Sequence, residues 1–193
     1  MRKALRYILS GNKLQPGDYT LNNQNLNSIE ILVEFRNKRP NNISFNSVKK
    51  LVKLTDKLII DCNSKTHNEL TDLLLLGVNR VVIDETSGDQ ELELAHAISD
   101  KVLTRMVLNI SRKNDLEYFS KKIKRLAELM EIIPRPLLLV TKKKGDLEKF
   151  WPLIPLKIKK QFEWWIAPSE GEIRKLDSKS TIKVWFVSGD IIG

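Results

Sequence analysis

The chain has 193 residues, a length that fits one domain, and it carries a formal net charge of +9 at pH 7. Its single cysteine, Cys62, excludes an internal disulfide, and no stretch approaches the roughly 18 consecutive apolar residues of a membrane span. Residues 1–14 lack the apolar run of a secretory signal. We therefore expect one cytoplasmic domain over residues 1–193, without a membrane partner.

Strand-like and helix-like segments alternate along the chain from residue 29 onward. The first strand is predicted over Ile29–Phe35, and an amphipathic helix follows over Phe45–Leu54. The second strand, Lys57–Asp61, contains three consecutive apolar residues. Such a run is typical of a strand that is covered on both faces, as in a parallel sheet flanked by helices.

The same alternation continues to the end of the chain. Glu69 lies three residues after Thr66, which is the capping-box spacing at the start of a helix, and Gly77 ends that helix. Apolar residues in Leu116–Ile133 recur every three or four positions, which predicts a long amphipathic helix. The remaining predicted elements are helices over 89–98, 146–162 (interrupted near its prolines) and 169–178, and strands over 80–84, 103–110, 136–141, 163–167 and 182–187.

Seven strands separated by helices predict an α/β fold with a parallel sheet. Right-handed crossovers allow either an open doubly wound sheet or a closed barrel. We expect a compact TIM-like barrel that is irregular at its N-terminus, although a full barrel needs eight strands and typically about 250 residues. Asp18–Leu21 or a neighbouring segment would supply the missing strand, or else the barrel is incomplete; residues 1–28 are otherwise unassigned.

Positive charge is concentrated in the second half of the chain and in loops after predicted strands. Residues 1–100 are electrically balanced, whereas residues 101–160 carry 16 Lys and Arg against 6 Asp and Glu. This asymmetry predicts a polyanionic partner, and the alternative is a solvated basic face without one. Loops after parallel strands meet at one rim, so their cations would converge there on phosphates. The predicted RNA-binding residues are Arg36, Lys38, Arg39, Arg112, Lys113, Lys142, Lys143, Lys144, Lys157, Lys159 and Lys160.

Residue types that carry catalysis or bind metals are sparse. Asp61 with Asp84 or Glu85 could form an acid–base pair at the strand ends, but acidic residues there also cap the following helix. His67 and His96 lack the spacing of metal ligands. The eight glycines include no Gly-Gly pair and no phosphate-binding motif. We predict no catalytic residue, no metal and no cofactor.

Four segments, in their order and spacing, resemble the archaeal ribonuclease P protein component 3 family. The segments are KLIIDCNS (57–64), LGVNRVVI (76–83), MVLNIS (106–111) and PLLLVT (136–141), and the resemblance runs from about residue 29 to residue 182. It implies a small TIM-type barrel that is a non-catalytic subunit, because the RNA subunit performs the chemistry in that enzyme. It also implies the partners: ribonuclease P RNA, precursor tRNA whose 5′ leader is removed, and ribonuclease P protein component 2.

A second hypothesis is a degenerate phosphate-binding barrel enzyme. The sequence pattern of residues 57–83 and of residues 165–193 resembles the isomerase type found in histidine biosynthesis. That resemblance implies a two-aspartate acid–base mechanism on a phosphorylated sugar, with one aspartate after the strand 103–110, where this chain has Asn109 and Ser111. A third hypothesis is a purely structural barrel whose basic face has no ligand.

Overall fold

The computed structural model of the chain describes residues 2–10, 13–15, 19–20, 30–35, 45–129, 135–169 and 182–188. Its contacts divide the chain into two compact units. The N-terminal unit comprises Lys3–Thr104 with Phe186–Gly193, and the C-terminal unit comprises Arg105–Trp185 with Met1–Arg2.

Strands and helices alternate after an N-terminal group of strands. The strands are β1 (Arg2–Ser10), β2 (Lys13–Gln15), β3 (Tyr19–Thr20), β4 (Ile31–Glu34), β5 (Leu58–Ser64), β6 (Arg80–Asp84), β7 (Val102–Leu108), β8 (Arg135–Thr141), β9 (Phe162–Ala167) and β10 (Ile182–Ser188). The helices are α1 (Phe45–Val52), α2 (His67–Leu75), α3 (Asp89–Ile98), α4 (Lys113–Leu129), α5 (Asp146–Phe150) and α6 (Leu156–Gln161). Every strand and helix predicted within the described residues is present, with ends that shift by a few residues.

The strands form one sheet that closes on itself. Their hydrogen-bonded order is β10-β9-β8-β7-β6-β5-β4-β1-β2-β3, and β10 also pairs with β1. The pairs β1–β4, β4–β5, β5–β6, β8–β9 and β9–β10 are parallel. This arrangement confirms the predicted TIM-like barrel, in which the eight barrel strands are β1 and β4 to β10.

The strand that the sequence left unassigned is β1. Its residue Leu5 lies opposite Ile31 of β4 in parallel register. The prediction that Asp18–Leu21 or a neighbour supplies this strand is wrong, because Tyr19–Thr20 form β3, which is antiparallel to β2. Arg6 interrupts the apolar run of β1, so that the segment lacked the pattern of a buried strand. Its guanidinium Nε lies 2.5 Å from Glu34 Oε1, which compensates its charge.

Three parallel strands and their helices form the core of the N-terminal unit. Leu32, Ile59 and Ile83, one from each of β4, β5 and β6, are fully buried. Gly77 follows α2 with a φ of +92°, a left-handed conformation that glycine adopts without steric cost. The predicted end of this helix at Gly77 is therefore confirmed, and the chain turns there into β6. Ser44, which the sequence places before α1 as a candidate helix cap, lies outside the described residues.

Aromatic side chains pack the core of the C-terminal unit. The rings of Trp151 and Trp164 meet edge to face with their centroids 5.0 Å apart. The predicted helix over 146–162 divides into α5, a 3-10 turn over Trp151–Leu153, and α6, because the prolines at 152 and 155 lack the backbone N–H that a continuous helix needs. The helix predicted over 169–178 lies, beyond Ser169, outside the described residues. Within the described segments, no helix combines the length and apolarity needed to cross a bilayer.

Candidate anion-binding site at the strand ends

The loop between β7 and α4 is shaped by Asp115, the third residue of α4. Its Oδ2 accepts hydrogen bonds from the backbone N–H groups of Ser111 and Arg112, both at 2.7 Å. The bond from Arg112, then the bond from Ser111, lowers the pKa of the Asp115 carboxyl below its ordinary value of 3.8. The backbone N–H groups of Ser111 and Arg112 before α4 are therefore hydrogen-bonded within the protein. The Arg112 side chain is exposed to solvent.

A second aspartate, Asp146, shapes the loop between β8 and α5, and it is only 1% exposed. Its Oδ2 accepts hydrogen bonds from the backbone N–H of Lys143 at 3.2 Å and from the backbone N–H of Ile110 at 3.4 Å. Ile110 belongs to the neighbouring β7–α4 loop, so one carboxylate holds both loops. Gly145 precedes it with a φ of +83°, which reverses the chain into α5.

A side-chain contact also joins the two loops. Lys143 Nζ donates to Ser111 Oγ at 2.6 Å, and the backbone N–H of Lys142 donates to the Leu108 carbonyl at 2.9 Å. The structure therefore brings together four exposed cations at the carboxyl ends of β7 and β8. We call Arg112, Lys142, Lys143 and Lys144 the cation cluster.

The other predicted RNA-binding residues lie elsewhere. Lys113 is the first residue of α4, while Arg36, Lys38 and Arg39 lie outside the described residues. Lys157, Lys159 and Lys160 are on α6, which leads into the amino end of β9, the opposite edge of the sheet from the cation cluster. Lys159 Nζ lies 5.0 Å from the centre of the Trp151 ring, and burial lowers the pKa of this lysine. An RNA-binding role for these residues stays a prediction.

Sequence analysis assigned no role to Asp115 and Asp146 and singled out Ser111 only as standing in place of an aspartate, yet these three residues position the cation cluster. A signal for the two aspartates is present in the sequence. Each lies three residues after the loop residue whose backbone N–H it accepts, Arg112 for Asp115 and Lys143 for Asp146. That separation is the one used by the acidic member of a capping box.

Two acidic residues of the N-terminal unit, Asp61 within β5 and Asp84 at the end of β6, accept hydrogen bonds from nearby backbone. Asp61, which is buried, accepts a hydrogen bond from the backbone N–H of Asn63 at 3.1 Å. Asp84 Oδ1 accepts the backbone N–H of Thr86 at 2.9 Å and lies 2.8 Å from Lys65 Nζ. The expectation that such residues cap the next helix is corrected here, because both carboxylates bind the backbone two residues on, in the manner of an Asx turn.

The cap of α2 is the one predicted from its spacing. The backbone N–H of Lys65 donates to Glu69 Oε2 at 3.0 Å, and the backbone N–H of Thr66 donates to the same oxygen at 3.4 Å. The residue before α3 is Gly88, which provides no side chain for capping. The carboxylates of Asp61 and Asp84 bind backbone N–H groups and, for Asp84, the Lys65 ammonium group, and an acid–base pair of Asp61 with Asp84 or Glu85 stays a prediction.

The histidines and the cysteine have structural partners. His67 Nδ1 lies 2.8 Å from Glu91 Oε2, and this hydrogen bond lowers the pKa of Glu91. His96 is buried, and its Nε2 lies 2.8 Å from Thr104 Oγ1. Burial raises the pKa of the Cys62 thiol to about 11, so the thiolate is disfavoured at neutral pH. Among the described residues, no group of three or more His, Cys, Asp or Glu is placed to hold a metal ion.

Comparison with known proteins gives a structural similarity without a sequence family. No protein-family model matches this chain, and no curated protein matches it. The solved structure of 3-hexulose-6-phosphate synthase from Salmonella typhimurium is similar with a TM-score of 0.59 and 12% sequence identity. The similarity covers 99% of this chain and 90% of that chain. At this identity the comparison supports the barrel fold alone, and the resemblance to ribonuclease P protein component 3 stays a prediction.

Proposed function

We propose that this chain is a degenerate phosphate-binding barrel whose cation cluster binds the phosphoryl group of a small phosphorylated sugar. The observation that carries the proposal is the 2.6 Å hydrogen bond from Lys143 Nζ to Ser111 Oγ, because it joins two strand-end loops and gathers their cations. Barrels of this class bind their ligands with the loops at the carboxyl ends of the strands. The similar solved structure is named for a phosphorylated sugar, which supports the choice of ligand.

The cluster offers two kinds of phosphate ligand. The Arg112 guanidinium presents parallel N–H groups that fit two phosphate oxygens, and the lysine ammonium groups add compact positive charge. Asp115 and Asp146 already accept the backbone N–H groups of four loop residues, Ile110, Ser111, Arg112 and Lys143. Phosphate binding here therefore depends on side chains, which makes it sensitive to their replacement.

Calorimetric titration with ribose 5-phosphate, using ribose as the matched ligand without a phosphate, tests this proposal. The phosphorylated sugar should bind and ribose should not. The double variant R112Q/K143Q should weaken binding about tenfold or more, because each lost charge-assisted hydrogen bond is worth about 1.5–3 kcal/mol. The control K49Q/K53Q removes the same two charges from the region of α1 and should change the affinity less than about twofold. Equal binding of both sugars, or equal losses in both variants, would overturn the proposal.

A second candidate is the RNA-binding subunit of ribonuclease P that the sequence resemblance implies. The specific observation in its favour is that the cations of the cluster are exposed while the loop backbone donors are occupied. Such a surface suits the phosphates of an RNA backbone, which are bound mainly by exposed Arg and Lys side chains. This candidate includes ribonuclease P RNA, precursor tRNA and ribonuclease P protein component 2 as partners and the cytoplasm as location.

Binding of precursor tRNA at several salt concentrations tests the second candidate. Replacing Lys142, Lys143 and Lys144 together with Glu should weaken binding across RNA sequences and reduce the slope of log affinity against log salt. Unchanged affinity and slope would contradict it. If ribose 5-phosphate binds the parent protein while precursor tRNA does not, the first proposal is favoured over the second.

A further inference from the structure

A groove separates α4 from α6 in the C-terminal unit, on the opposite edge of the sheet from the cation cluster. It contains an open cavity of about 280 Å³ between the two helices. Its apolar lining includes Ala127 of α4, Pro155 directly before α6 and Ile158 of α6. This volume lies just below the range of about 300–1,000 Å³ for small-molecule sites, so it suits one or two anchoring side chains better than a whole ligand.

Basic side chains border this groove on both helices. Lys124 of α4 and Lys157 of α6 line the cavity and are exposed, and Lys160 lies one turn of α6 beyond Lys157. Glu128 is the acidic side chain among the described lining residues. The border therefore carries a net positive charge, which matches the basic excess of residues 101–160.

Two large apolar side chains near the start of α6 are exposed to solvent. Leu153, the last residue of the 3-10 turn before α6, is 50% exposed, and Leu156, the first residue of α6, is 67% exposed. Large apolar side chains beside a concave apolar surface with a polar rim are typical of a protein interaction site. Leu156 is followed directly by the exposed Lys157, so apolar and basic side chains adjoin at the start of α6.

We propose that the α4–α6 groove is a docking site for an acidic amphipathic helix of a partner protein. Charge complementarity selects this occupant: apolar side chains of the partner, one turn apart, fill the cavity over Ala127 and Ile158, and its Glu or Asp residues pair with Lys124 and Lys157. This is the helix-in-groove mode of recognition, with anchors at i, i+3, i+4 and i+7. The site is separate from the cation cluster and does not depend on the function proposed for it.

The test uses two fluorescein-labelled helical peptides of 14 residues with the same leucines, one with Glu and one with Lys at the polar positions. Fluorescence anisotropy with the full chain should show binding of the Glu peptide and an affinity at least about tenfold lower for the Lys peptide. The double charge-reversal variant K124E/K157E should invert this preference. The control variant K49E/K53E makes the same change of net charge on and just after α1 and should retain the preference of the parent.

Several outcomes would overturn the proposal. Equal affinity for the two peptides, or no binding of either, excludes recognition of an acidic helix. Loss of preference in K49E/K53E as well as in K124E/K157E would show that net charge alone attracts the peptide. A self-association in sedimentation that K124E/K157E abolishes would assign the groove to a second copy of this chain. Circular dichroism of each variant verifies that it is folded, and inversion of preference cannot arise from unfolding.

Discussion

Two aspartates determine the shape of the strand-end loops in the C-terminal unit. Asp115 binds the two backbone N–H groups that precede α4, and Asp146 binds one backbone N–H in each of the two loops. Asp146 is buried and its Oδ1 has no hydrogen-bond partner among the described residues. Burying a polar atom without a partner costs free energy. We attribute the presence of a carboxylate here to Oδ2, which holds the two loops in place.

Replacing Asp115 with Asn should make the protein less stable at pH 7 but not in acid. The lowered pKa of Asp115 means that its ionised form stabilises the fold above the ordinary value of 3.8, and this contribution is lost as the pH falls through the lower pKa of the folded state. Urea unfolding at pH 7 and at pH values below 3.8 gives the free energy of unfolding of both proteins. The difference in this free energy between parent and variant should be smaller in acid. A difference that stays constant or widens would contradict the assignment.

At the scale of one element, β8 shows that a continuous apolar run identifies a strand in the interior of the sheet. Leu137, Leu138, Leu139 and Val140 are all buried, so both faces of the strand are covered. That pattern is typical of a parallel strand between neighbours in a helix-covered sheet. Helix α2 behaves differently: Leu73 is buried, Leu74 is half-buried and Leu75 is 81% exposed, because only one stripe of a helix faces the core.

The cost of shortening leucines should follow this burial. Leu138→Ala should lower the free energy of unfolding by about 2–5 kcal/mol, the range for a buried large-to-small change. Leu74→Ala should cost less because Leu74 is half-buried, and Leu75→Ala serves as a matched exposed control with a change within about 0.5 kcal/mol. Chemical denaturation of the three variants measures the order, and equal losses at positions 138 and 75 would contradict it.

At the scale of the whole molecule, closure of the sheet depends on β1. This strand lies beside β4 in parallel register and also pairs with β10. Within it, Ala4, Leu5, Tyr7 and Leu9 are buried. Removing β1 would expose the apolar surface of its neighbours and leave unpaired strand edges, which favour aggregation.

Deleting residues 1–10 should therefore abolish cooperative unfolding and reduce the soluble yield. Thermal melting followed by circular dichroism checks the first effect, and light scattering checks the second. The point variant R6M, which removes the charge but keeps the strand, provides a comparison that should retain a cooperative transition. A truncated chain that melts as sharply as the parent would show that closure by β1 is not required for stability.

Sequence alone predicted most elements from β4 to β10, because their apolar periodicity and capping residues act over a few neighbouring positions. Consecutive apolar residues identified β5, β6 and β8, and the Thr66–Glu69 spacing located the start of α2. Loops after strands were also recognisable, so Arg112 and Lys142–Lys144 were predicted to lie near one another. A strand with a charged residue inside it, such as β1, has no such local pattern.

Tertiary structure decided the rest. The ion pair between Arg6 and Glu34 and the contact between Lys143 and Ser111 each join residues about 30 positions apart, a separation at which no local pattern operates. The position of α6 at the other edge of the sheet likewise follows from the path of the chain into β9. Local periodicity fixes which segments become strands and helices, whereas the pairing of strands fixes which loops meet, and a ligand is bound by the loops that meet.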